Sequence, residues 1–171
     1  MRAFNFTAGA GEISTPDGGS IHFWGYHAPG ANPAEVPQYP GPTLIVTEGD
    51  TVNINLTNYG VPQPVSIVVT GHNVTAGGGV PGLVTQAASV GQTVTYTFVA
   101  NEPGTYLYQS ATQPSLQVPM GLFGALIVDG YGTTPAPVDD VTLLFSEIDP
   151  VQNQRVADAS GAATPVAEAT R

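Results

Sequence analysis

Two short segments, TVNINLT at 51–57 and TVTYTFV at 93–99, constrain this chain more than anything else in it. Side chains along a β-strand alternate between two faces, so a strict apolar–polar alternation marks a strand with one face buried. Val52, Ile54 and Leu56 would point one way, and Asn53, Asn55 and Thr57 the other. In the second segment Val94, Tyr96 and Phe98 share a face. Each segment follows a glycine-containing turn, EGD at 48–50 and VGQ at 90–92. Further strands are predicted at 3–8, 20–26, 43–47, 65–70, 105–109, 122–128 and 141–145, a spacing of about ten residues that suits a β-sandwich. LFGALIV at 122–128 is apolar on both faces and belongs at the centre of a sheet. The Pro/Gly-rich stretches 26–42 and 71–89 are predicted as long loops over one end of the sandwich.

Composition supports an all-β domain. Hydrophobic residues make up 42% of the 171 positions, enough for a core, and charged residues only 9%, too few for the wet faces of helices. Lysine is missing, and the only arginines are Arg2, Arg155 and Arg171. Nucleic-acid binding needs clustered cations to neutralise phosphates, and anionic lipid needs the same, so neither is an expected partner. Without cysteine there is no disulfide and no thiolate for a blue-copper or iron–sulfur centre. No segment is long and apolar enough to span a membrane, and the N-terminal MRAFNFTAGAGE lacks the apolar run of a signal peptide. Residues 1–149 read as one domain and 150–171 as a linker or tail, the last part from about Val156.

The blocks YPGPTLIVTEGDTVNINLTN, VPGLVTQ, GQTVTYTFVANEPGTYLYQS and LQVPMGLFGALIV occur in that order. Together with the upstream TPDGGSIHFWGY they resemble the first cupredoxin domain of the multicopper oxidases, over roughly residues 4–149. The resemblance implies a cupredoxin-like Greek-key β-sandwich or barrel. In that family two His-x-His pairs from this domain help hold a three-copper cluster at which dioxygen is reduced. The i, i+2 spacing places both imidazoles of a pair on one side of a strand. The first pair would fall in PVSIVVTG, at Val68 and Thr70; the second would follow GTYLY, at Gln109 and Ala111. None of the four is histidine, so the expectation is that no metal or cofactor binds this domain, and that copper belongs to a longer parent protein. Gln109 and Thr70 are expected to hydrogen-bond where imidazoles would have met copper.

Three histidines remain. His72 lies two residues past Thr70 and is the one weak metal candidate; His22 and His27 read as strand and loop histidines. Met120 reads as a core filler, Trp24, Tyr106 and Tyr108 as core or interface aromatics. Asp139, Asp140, Glu147, Asp149 and Asp17 read as solvated carboxylates, and Ser110 has no neighbouring histidine to activate it. NFT, NLT and NVT match a glycosylation sequon by composition alone.

The resulting expectation is an architectural domain of a multicopper-oxidase-type oxidoreductase, inactive alone, packing against further cupredoxin domains in cis or in trans. VTLLFSEIDP at 141–150 resembles the lead into a second domain. The alternatives are a free-standing β-sandwich binding module using the two long loops, and a small copper protein rebuilt around His72. The resemblance also implies a periplasmic or extracellular location and makes self-association plausible.

Overall fold

The two alternating segments pair with each other. In the structure, a computed structural model that describes residues 1–28, 37–132 and 141–161, they form β4 (Thr51–Asn58) and β9 (Thr93–Val99). Their antiparallel register sets Val52 opposite Phe98, Ile54 opposite Tyr96 and Leu56 opposite Val94, and all six are buried. The opposite face is a polar ladder: Thr97 Oγ1 donates to Asn53 Oδ1 and Thr95 Oγ1 to Asn55 Oδ1, both at 2.8 Å. Asn55 Nδ2 in turn donates to Asn5 Oδ1 at 2.9 Å, which ties two of the sequon asparagines to each other. The glycines before these strands sit at φ 84° (Gly49) and 78° (Gly91), a left-handed conformation that few other residues reach cheaply.

The remaining strands are β1 (Arg2–Ser14), β2 (Ser20–His27), β3 (Leu44–Thr47), β5 (Val68–Val69), β6 (Thr75–Gly77), β7 (Val80–Pro81), β8 (Gln86–Ala87), β10 (Gly104–Gln109) and β11 (Phe123–Asp129). Two helices, α1 (Pro114–Gln117) and α2 (Pro150–Ser160), complete the described elements. One sheet runs β2-β1-β4-β9-β6 and the other β3-β11-β10-β5, with β7 and β8 as a separate ribbon. β1 with β4 and β3 with β11 are parallel pairs; the other pairs are antiparallel. β11, the segment read as central, has a strand on each side. The sheets close over an aromatic centre in which Phe6, Tyr26 and Tyr108 rings lie 5.7–6.1 Å apart. Tyr26 and Tyr108 keep their phenols paired, donating to the carbonyls of Ser66 and Pro42 at 2.6 Å. Burial drives both phenol pKa values up, so these hydroxyls stay neutral donors.

Four expectations need correction. Residues 141–145 are not a strand: they join no ladder, and Val141, Leu143 and Phe145 are exposed. The supposed tail is helical from Pro150 to Ser160, because Asp149 caps it, accepting from the amides of Val151 and Gln152. Asn153 and Ala157, one turn apart, are buried, with Asn153 Nδ2 donating to the His22 carbonyl on β2 at 2.7 Å. The 71–89 stretch is not a plain loop, since it carries β6, β7 and β8. The 65–70 strand shrinks to Val68–Val69, with Val65 making only an isolated bridge to Ala88. Part of the 26–42 loop, Asp139 and Asp140, and the end of the chain lie outside the described residues.

Candidate functional site: the β5–β10 edge

The short β5 is held at the end of its sheet by β10, and the pairing sets Val68 directly opposite Gln109. Gln109 in turn faces Phe123 on β11, and Leu107 faces Ala125. Residues paired across strands project to the same side, so Val68, Gln109 and Phe123 form one row on the outer face of this sheet, with Leu107 and Ala125 beside it. Thr70 closes β5: its amide and its hydroxyl both donate to the Leu107 carbonyl, at 2.9 and 2.8 Å. Ala111 lies just past the end of β10, buried, with its amide donating to Ser66 Oγ at 3.1 Å. The fold thus brings together the segments that carry Val68, Thr70, Gln109 and Ala111. Of the two hydrogen bonds expected here, Thr70 makes one; among the described residues no side-chain bond of Gln109 is found.

A buried polar network holds this edge in place, and nothing in the sequence pattern announced it. Ser110 Oγ donates to Gln117 Oε1, Gln117 Nε2 to the Pro64 carbonyl at 3.0 Å, and Thr112 Oγ1 to Ser66 Oγ at 2.9 Å. Ser66, Ser110 and Gln117 are all fully buried. The only hint was their density of hydroxyl and amide residues beside apolar strands. Ser110 is therefore a structural donor with an amide partner, not a nucleophile with a base.

A cleft of about 440 Å³ opens on the same outer face, lined by Leu107, Val118, Phe123, Leu144, Phe145 and Glu147 among others. The 144–149 segment forms one wall, anchored where Tyr39 donates to the Glu147 carbonyl at 3.3 Å. Asp149 is occupied as the cap of α2, and Asp17 serves the β1–β2 turn, accepting from Thr15 and from the Gly19 amide. Those contacts hold the Asp17 carboxyl below its ordinary value, Thr15 first.

The histidines lie apart. His72 is half-buried, its ring edge-on to Tyr106 at 4.5 Å and Phe98 at 5.1 Å, with Nδ1 3.1 Å from the Thr70 carbonyl. His22 is buried on β2, with Nδ1 2.9 Å from Glu12 Oε1, its register partner on β1. His27 ends the same strand, five positions on and therefore on the other face. Among the described residues no three His, Asp or Glu side chains gather as a metal site. Met120 and Trp24 are buried in the core, as expected.

A family model described as multicopper oxidase matches residues 36–132, more than half of the chain. A multicopper oxidase of Talaromyces pinophilus is 37% identical over 105 residues, covering 58% of this chain and 17% of its own length. An L-ascorbate oxidase of Brassica rapa subsp. pekinensis is 35% identical over 97 residues, covering 54% of this chain and 16% of its own. The chain thus spans about a sixth of the curated relatives it matches. A crystal structure of a multi-copper oxidase from Pseudomonas thermotolerans superposes with a TM-score of 0.65 at 20% identity, over 80% of this chain and 32% of that one. That likeness fixes the fold as cupredoxin-like. The chain belongs to the multicopper oxidase family.

Proposed function

We propose that this chain is a copper-free cupredoxin domain whose work is architectural: its outer β5–β10–β11 face packs against further cupredoxin domains that carry the metal. The observation behind this reading is the Val68–Gln109 pair, set side by side where the family resemblance puts imidazoles. The residues present do not fit copper. Val68 and Ala111 have no donor atom, the Thr70 hydroxyl is engaged with the Leu107 carbonyl, and an amide oxygen is a poor ligand for a metal that favours imidazole and thiolate. The same face is apolar, and the exposed Phe145 borders its cleft. An apolar groove with an exposed aromatic at its rim is the kind of surface that marks protein contacts.

Under this reading copper, oxidase activity and a periplasmic or extracellular location belong to the assembled parent, and the partner domains sit in cis or in trans. Titrating the purified chain with Cu(II) tests it. The reading expects no stoichiometric, saturable absorption change; a saturable site that disappears in His72→Ala would overturn it and favour the rebuilt copper protein. A gene that continues past Arg171 into a domain bearing Cys and His copper ligands would support the packing role, and a stop codon there would favour a free-standing binding module.

A further inference from the structure

A second cleft, of about 440 Å³, lies against helix α2. Its walls include Trp24 of β2, Leu116 of α1, and Gln152, Arg155 and Val156 of α2. Three hydrogen-bond donors on these residues have no acceptor among the described residues. Trp24 is 1% exposed, and its indole Nε1 is buried with no partner. The Gln152 amide Nε2 is likewise buried and unpartnered. Arg155 makes no ion pair with any of the described residues.

Such groups are uncommon, because a buried donor without an acceptor loses its hydration for nothing in return. Their meeting with Arg155 is also specific to this place. Arg155 is the only fixed cation between Ala3 and Thr170 in a chain of net charge −10. Away from its two ends the chain offers an anion no other fixed positive charge; beside this cleft a guanidinium offers a forked pair of donors suited to a carboxylate. The rest of the lining, Leu116, Val156 and Pro62, is apolar. The volume falls within the roughly 300–1,000 Å³ of small-molecule sites, which combine an apolar wall with a few placed polar groups.

We propose that this cleft binds a small apolar carboxylic acid, its carboxylate received by Arg155 and Gln152 with the Trp24 indole as a further donor, and its hydrocarbon body against Leu116 and Val156. The proposal does not rest on the packing role, although Gln152 borders both clefts.

Trp24 is the only tryptophan, so its indole N–H resonance reports on the cleft directly. The experiment titrates the full chain with 4-phenylbutyrate and, as an uncharged probe of the same shape, 4-phenylbutanamide. The expected result is a saturable shift of the indole resonance with the acid, and binding of the amide weaker by about tenfold or more, the usual worth of a charge-assisted hydrogen bond. Arg155→Gln should weaken the acid by a similar factor and leave the amide unchanged. Arg155 is exposed, so this variant keeps the fold, which unchanged resonances elsewhere would verify. No saturable shift, equal binding of acid and amide, or indifference to Arg155→Gln would each overturn the proposal.

Discussion

At the scale of single residues, Val68 and Gln109 are the informative pair. They are direct cross-strand partners, and such partners hold their Cβ atoms about 5 Å apart on one face. Two imidazoles placed there can reach one metal ion. The double variant Val68→His/Gln109→His should therefore gain a stoichiometric Cu(II) or Ni(II) site by calorimetry, with each single variant binding at least about tenfold more weakly. Both positions are half-buried at a sheet end, so the melting temperature should move by only a few degrees. The variant should not oxidise phenols, because a cluster of three coppers needs ligands from another domain; phenol oxidation by the isolated variant would refute the packing role. Asp50 gives a residue-scale prediction of a different kind. Its carboxyl is held below the ordinary 3.8, first by the Thr47 amide and then by the N-terminal ammonium and Arg2. A depressed pKa means stabilisation that is complete above the ordinary value and lost as pH falls through the lowered one. The destabilisation of Asp50→Asn relative to the parent chain should be full at neutral pH and shrink in acid below about pH 4, read from thermal melts across that range.

At the scale of elements, β10 and β11 lock through one close approach. Gly124 lies opposite Tyr108, and a Cβ there would meet the Tyr108 ring at 2.3 Å. Gly124→Ala should cost about 1–3 kcal/mol or more by denaturant unfolding, since neither ring nor backbone has room to yield. Helix α2 depends on a local device instead. Removing its cap with Asp149→Ala should cost about 1 kcal/mol and raise amide exchange across 150–160 before the rest of the domain opens. These two elements also show what could be read in advance. β4, β9 and β11 were legible because period-two alternation, or a continuous apolar run, is imposed by burial that every part of the strand shares. α2 was not, although Asp149-Pro150 and Gly161 are start and stop signals eleven helical residues apart; the Ala- and Thr-rich composition after it masked them. The 141–145 segment erred the other way. Its side chains favour a strand, but a strand also needs a partner, and this segment is laddered to none of the described strands. At the candidate site the positions of Val68, Thr70, Gln109 and Ala111 were legible from motif spacing. The Ser66–Ser110–Gln117 network beneath them was not, because its links to Ser66 and to Pro64 join residues 44 or more positions apart that share no local pattern.

At the scale of the whole molecule, charge and apolar surface act against each other. Thirteen carboxylates against three arginines leave a net charge of −10, spread over a small domain with only three ion pairs among its described residues. Self-repulsion of this size weakens the compact state and keeps copies apart. Salt screens it, with a Debye length that falls from about 30 Å at 0.01 M to about 8 Å at 0.15 M. Raising ionic strength across that interval should therefore raise the melting temperature by a few degrees, the opposite of a protein held together by surface salt bridges. It should also uncover the stickiness of the face that carries Phe145: sedimentation should show a monomer at low salt and concentration-dependent association at high salt. Phe145→Asp, at a site 88% exposed and so harmless to the fold, should abolish that association while leaving the salt dependence of melting intact. If the variant still associates, the contact lies elsewhere on the molecule; if melting is insensitive to salt, repulsion is not what limits this domain's stability.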